Sequence, residues 1–197
     1  MKKLYLFTFM LGAMISTTTH AENIGLDVSV GFANVRPDIS SPVVGADASN
    51  ETVPIINLTY FFTDNLALNT AAGITRHEFR NSSGLLGSAS MAPFHLIGEY
   101  HFLPKEVLSP YVGVGIHHTV FFHQSGPAFD ALQDFPADTG PVLEVGANYK
   151  LNKDYFVNLD FKKFYLETDV TFKGASTKTE TIKLNPLLVV LAVGMHF

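Results

Sequence analysis

Three groupings of side chains in this 197-residue sequence have the residue types for chemistry. The first is His123-Gln124-Ser125, an imidazole two positions from a hydroxyl. A serine nucleophile needs a base within hydrogen-bond reach and a third group that orients the base. The pair runs straight into Gly126-Pro127, a loop signal, and no acid is placed to orient the histidine. The second grouping is His117, His118 and His123, which suggests a metal. Adjacent residues of a strand face opposite sides, so His117 and His118 cannot share a site, and no carboxylate completes one at ligand spacing. Neither grouping supports an enzyme, and no metal or other cofactor is expected. The third grouping is dispersed: Asn69, His95, Glu99, His117, Glu144, Asn148, Asp160 and Lys162 are polar residues set between apolar ones. They suit either a solute path or a structural plug. For Glu99, Glu144, Asp160 and Lys162 the plug weighs more, because unpaired charges in an enclosed interior are too costly.

The elements that carry these residues follow a period of two. Ile24 to Arg36 puts Leu26, Val28, Val30 and Phe32 on one face, with Asp27, Ser29, Gly31 and Ala33 on the other. After a turn-rich stretch, Pro37 to Thr52, a second strand covers Val53 to Phe62, and Thr63-Asp64-Asn65 turns it into a third from Leu66. A Ser- and Gly-rich loop is expected over Phe79 to Ser90. Strand four runs from Met91 to Phe102 and strand five begins at Pro110. A long loop, Gln124 to Asp138, holds an FDALQDF stretch that suits a short helix. Strand six, Thr139 to Leu151, turns at Asn152-Lys153-Asp154 into strand seven. A last polar loop lies near Thr171 to Thr179, before the C-terminal strand. Short and long connections alternate, as in outer-membrane barrels with periplasmic turns and extracellular loops. The aromatics Tyr60, Phe62, Tyr100, Phe102, Tyr111, Tyr155 and Phe197 fall at the short-turn ends, where an interfacial girdle is expected.

The two ends agree with this. Lys2 and Lys3 precede an apolar run, Leu4 to Ile15, and Thr19-His20-Ala21 offers small residues for a signal peptidase. At about 12 residues the run falls short of the ~20 a spanning helix needs. Residues 1–21 are therefore expected to be a cleaved Sec signal and 22–197 a single barrel domain. The composition is 47% hydrophobic, cysteine is absent and the net charge is −5. No disulfide can form, and with no basic stripe nucleic acid is not an expected partner. The expected fold class is all-β: an eight-stranded antiparallel transmembrane β-barrel of the bacterial outer membrane.

Several segments in one order carry a family resemblance: NVRP at the end of strand one, TYFFTDN, SPYVGVGIHHTVFF, NKDYFVNLD and LNPLLVVLAVGMHF. Together they resemble the OmpW family of outer-membrane proteins over nearly the whole mature sequence. The resemblance implies a narrow, largely apolar interior and passage of small hydrophobic molecules, with lateral release into the bilayer. Lys162 departs from a purely apolar constriction. Eight strands leave room for at most one small ligand, which argues against a wide porin-like aqueous pore.

Pro93 is the candidate for the lateral opening, because it lies within a strand and lacks a ladder N–H. The expected partners are outer-membrane lipid and lipopolysaccharide, small hydrophobic solutes, and the barrel-assembly machinery acting through Phe197. The alternative function is a closed structural or interaction barrel whose loops serve adhesion or receive phage or bacteriocin.

Overall fold

A computed structural model describes residues 25–41, 45–130, 132–173 and 178–197. The expected signal segment 1–21 and the strand start at Ile24 lie outside the described residues. In chain order the elements are β1 (Gly25–Arg36), β2 (Asp47–Ala48), β3 (Glu51–Phe61), β4 (Leu66–Ala72), β5 (Thr75–Asn81), β6 (Gly84–His101) and β7 (Leu108–Ser125). There follow α1 (Pro127–Asp130), β8 (Leu132–Asp134), β9 (Asp138–Lys150), β10 (Tyr155–Phe164), β11 (Glu167–Phe172), β12 (Lys178–Lys183) and β13 (Leu187–His196).

The main sheet is a closed ring. β1, β3, β4 with β5, β6, β7, β9, β10 and β13 pair in turn, all antiparallel, and β13 returns to β1. β4 and β5 are two halves of one wall, so the ring has eight. At the seam Asp27 to Arg36 run against His196 to Leu187, and Leu26 and Phe197 exchange backbone bonds of 2.9 and 3.2 Å. Closure removes the free edges of the sheet, the condition for strands in hydrocarbon, where water cannot satisfy backbone groups, apart from a short interval between the β4/β5 wall and β6. A small second sheet, β8-β11-β12, extends the rim at the long-connection end.

Alternation sets the two faces. Val30, Phe32, Val114, Ile116, Leu143, Val145, Leu191 and Val193 all stand exposed on the outside, Val114 at 64%. Such a contiguous apolar exterior belongs in lipid rather than water. Inside, Ala33, Val35, Ile55, Ala71, Met91, Phe164, Leu188 and Val190 form an apolar core.

Three expectations need correction. The loop over Phe79 to Ser90 is mostly a hairpin: β5 reaches Asn81 and β6 starts at Gly84. Its serines are rungs, since Arg76 Nη2 donates to Ser88 Oγ at 2.7 Å and to Ser125 Oγ at 3.2 Å. Polar strands standing in water above the membrane carry a loop's composition. The helix occupies Pro127–Asp130 and takes in only Phe129 and Asp130 of the FDALQDF stretch, while Leu132–Asp134 is extended because it pairs with β11. Tyr111 is no girdle residue. It is buried in the barrel, stacked on His101 at a centroid distance of 4.7 Å.

Gly31 shows how tight the seam is. It pairs with Ala192, and a Cβ placed on it would lie 2.7 Å from the Ala192 Cβ. Gly31→Leu is therefore expected to block closure, read as loss of the heat-modifiable folded band on electrophoresis, while a wild-type band would contradict this packing.

Candidate functional site

The interior is divided into two levels. Toward the short turns it is charged. Lys162, fully buried on β10, donates to Glu144 and, at 3.0 Å, to Asp160 Oδ2. Lys162 and Glu144 are register partners on β10 and β9, while Asp160 lies two residues along the same face. Asn158 continues that face, its Nδ2 donating to the Tyr111 hydroxyl at 2.8 Å and to Asn148 Oδ1 at 2.7 Å. Glu99 takes a different partner from Glu144 and Asp160: its Oε2 lies 2.9 Å from His101 Nε2. At the mouth of this level His196 Nδ1 meets Asp27 Oδ1 at 2.5 Å. Ionisable groups of β1, β6, β9, β10 and β13 thus fill the lower barrel. Their mutual pairing is what makes their burial tolerable.

Above the charged level lies an apolar chamber, lined by Ala33, Ile55, Ala71, Met91, Phe164 and Leu188 among others. It is tight, with about 30 Å³ of free space between the side chains. His95 marks the floor. Its Nε2 reaches Asn69 Oδ1 at 3.1 Å in the polar level, while its ring meets Phe164 at 5.8 Å in the chamber.

All eight polar residues singled out in the sequence sit on the inner side. Asn69, His95, Glu99, His117, Glu144, Asp160 and Lys162 are buried and Asn148 is half-buried. They do not form one path. Asn69, Glu99, Asn148 and Asp160 line a small polar cavity within the charged level. His95 faces the chamber. His117 is held higher up by Thr119 Oγ1 at 3.1 Å and the Tyr165 carbonyl at 2.9 Å. Ile55 and Leu188 of the apolar chamber were missed. Their neighbours Ile56, Leu187 and Val189 are also apolar, so no alternation marks them.

The wall of the chamber is interrupted on one side. β4 pairs with β6 from Leu66↔Tyr100 to Asn69↔Ile97, and β5 resumes the pairing at Thr75↔Met91. Both halves keep one register, so residues 70–74 face 92–96 without ladder pairs. Continuing that register sets Gly73, which has no side chain, opposite Pro93, which has no N–H. On its other edge β6 stays paired with β7 through Pro93↔Thr119. Gly73 and Pro93 both line the chamber.

The remaining groupings are placed otherwise. The Ser125 hydroxyl is engaged by Arg76 and by Ser88, 3.1 Å away. His118 Nδ1 bonds Thr139 Oγ1 at 2.8 Å, on the side opposite His117. Among the described residues no three metal-ligating side chains lie together.

A closed eight-walled sheet with an apolar exterior and a filled interior defines a small outer-membrane β-barrel. Within that class the chain belongs to the OmpW family, whose family model matches residues 15–197. It is 31% identical to outer membrane protein W of Vibrio cholerae, over 95% of this chain and 96% of that protein. It is 28% identical to the dibenzothiophene metabolism operon protein DoxH of Pseudomonas sp. (strain C18), over 93% of each. Among solved structures, the fold matches that of OprG from Pseudomonas aeruginosa with a TM-score of 0.80 at 20% identity, over 90% of this chain and 97% of that one. The chain is thus a protein of the bacterial outer membrane.

The charge cluster generates a stability prediction. Lys162→Met strands Glu144 and Asp160, and is expected to cost about 3–5 kcal/mol. Adding Glu144→Gln and Asp160→Asn should recover most of that, measured by urea unfolding in bilayers. An unchanged unfolding midpoint for Lys162→Met alone would show that the pairs contribute nothing.

Proposed function

We propose that this barrel admits small hydrophobic molecules across the outer membrane and releases them sideways into the bilayer. One observation carries the reading: an apolar chamber backs onto the only interval where the β4/β5 wall and β6, among the described residues, lack ladder pairs. A hydrophobic solute is stopped by the charged lipopolysaccharide surface, whereas the hydrocarbon beyond it is favourable. A protein need supply only an apolar way around the polar layer. Each buried solute methylene gains ~0.8 kcal/mol, enough to draw a short hydrocarbon in and little enough to let it leave.

The charged level closes the straight route, which makes the side exit the consistent one. The family membership and a relative named for a dibenzothiophene metabolism operon support a hydrophobic cargo. In the same reading residues 1–21 are the Sec signal and the surroundings are outer-membrane lipid and lipopolysaccharide. Phe197, bonded to Leu26 at the seam, is the handle for the barrel-assembly machinery.

Uptake of octane and naphthalene by cells with and without the protein tests this, at equal surface expression and with an intact lipopolysaccharide layer. Uptake should rise with the protein while ion conductance stays small. Two variants aim at the opening. Pro93→Val restores a ladder donor. Gly73→Leu fills the mouth, where a Cβ meets Pro54 O at an ordinary 3.5 Å. Each should lower uptake roughly tenfold, equivalent to about 1.4 kcal/mol, with the barrel still folded. Undiminished uptake in both would count against the lateral exit. No protein-dependent uptake of either solute would sink the passage reading and leave a closed barrel acting through its loops.

A further inference from the structure

A second apolar cavity lies among the long connections, separate from the chamber behind Pro93. Each connection supplies part of its wall: Ile39 from the first, Phe79 and Leu86 from the β5–β6 hairpin, Phe129 and Phe135 from the third, and Ile182 from β12. No charged side chain lines it among the described residues. This end of the barrel stands in the polar layer outside the membrane, where a hollow of such composition is not needed to meet lipid. Apolar concavities of this kind are characteristic of small-molecule sites.

The rings around it are ordered. Phe79 and Phe129 meet edge to face with centroids 5.5 Å apart at 69°. Phe129 and Phe135 do so at 5.6 Å and 85°, and Phe135 and Phe121 at 4.5 Å and 66°. Phe121 in turn packs against the apolar core that surrounds the lateral chamber. An unbroken file of four rings therefore leads from the loop cavity to the chamber.

Phe129 is seated by a glycine. Gly87 has φ +153°, and a Cβ there would lie 2.4 Å from the Ser125 carbonyl oxygen and 2.6 Å from Phe129 Cδ2. The ring rests on bare backbone, and a side chain at position 87 would displace it.

Edge-to-face contact sets the positive edge of one ring against the negative face of the next, and is worth more than the area it buries. A planar aromatic solute can take the place of one ring in such a file and keep these contacts. A saturated hydrocarbon of equal size replaces only the buried area. We infer that the loop cavity is a receiving site for small planar aromatic hydrocarbons, with Phe129 and Phe135 as its specificity-determining rings. Binding there stands independently. Onward transfer along the ring file to the chamber rests on the passage function proposed above.

Naphthalene and decalin share a carbon skeleton and differ in their π faces, so together they isolate this property. The full barrel in lipid nanodiscs is titrated with each and followed by NMR, with concentrations referred to the lipid phase. Naphthalene should saturably shift the ring resonances of Phe79, Phe129 and Phe135 at roughly tenfold lower concentration than decalin. The Phe129→Leu/Phe135→Leu double variant, which keeps apolar bulk, should respond equally to both. Phe129→Leu alone should weaken naphthalene binding in the same direction, and gives a second reading should the double variant fail to fold. Equal response of the wild type to both solutes would overturn the aromatic preference. Shifts confined to Ala33 and Leu188 of the lateral chamber would overturn the loop site. Naphthalene binding at the loops without protein-dependent uptake would support the site while removing the passage reading, so the two fail separately.

Discussion

Backbone hydrogen bonding governs this molecule. In hydrocarbon an unpaired N–H or C=O costs several kcal/mol because no water is present to replace its partner. The strands must therefore close, and they do so where β1 meets β13 along ten consecutive residue pairs. Closure with eight walls leaves an interior too narrow for an aqueous pore, so side chains fill it. Everything inside the barrel is a consequence: what fills the lower half, what fills the upper half, and where the ring can be left incomplete.

The two fillings use different physics. In the lower half Lys162 is held between Glu144 and Asp160, and Glu99 against His101. These pairs lie within β6, within β10 and between the neighbouring strands β9 and β10, and their polar groups leave no continuous apolar route along the axis. In the upper half Ala33, Ile55, Ala71 and Leu188 belong to one apolar cluster, and a small space remains among its side chains. The ladder interruption lies beside that space rather than beside the charges. Pro93 and Gly73 suit the interruption for complementary reasons, since one brings no donor and the other no side chain to close over the gap. β6 keeps its place because its other edge stays paired to β7.

The sequence makes the wall legible and the chamber not. Period-two alternation holds through the lower barrel, where Asn158, Asp160 and Lys162 alternate with Val157, Leu159 and Phe161, and so it identifies the inward polar residues. Above them the inner face becomes apolar, as in Ile55 and Leu188, next to Ile56, Leu187 and Val189, which are apolar too. With both faces alike the pattern carries no information, and only the folded chain separates them. Tyr111 is a different lesson. Its position in the alternation set it on the side of His117, inward, while its place near a strand end suggested a girdle; the alternation was the better guide. The β5–β6 hairpin was hidden because serine-rich strands beyond the membrane have the composition of loops. The phenylalanine file was illegible for yet another reason: Phe79 comes from β5, Phe121 from β7, and Phe129 and Phe135 from the connection after β7, and they meet only when the barrel gathers them.

The central claim is that the chamber opens sideways to the bilayer, and photo-methionine at Met91 tests it most directly. Met91 is buried and lines the chamber, and Met195→Leu removes the other methionine among the described residues. The diazirine is nearly the shape of the side chain it replaces and reacts with whatever touches it on illumination. With the barrel in lipid bilayers, adducts to lipid acyl chains mapped to position 91 by mass spectrometry are the predicted result. Cross-links at position 91 only to other residues of the barrel would describe a sealed chamber and contradict the account.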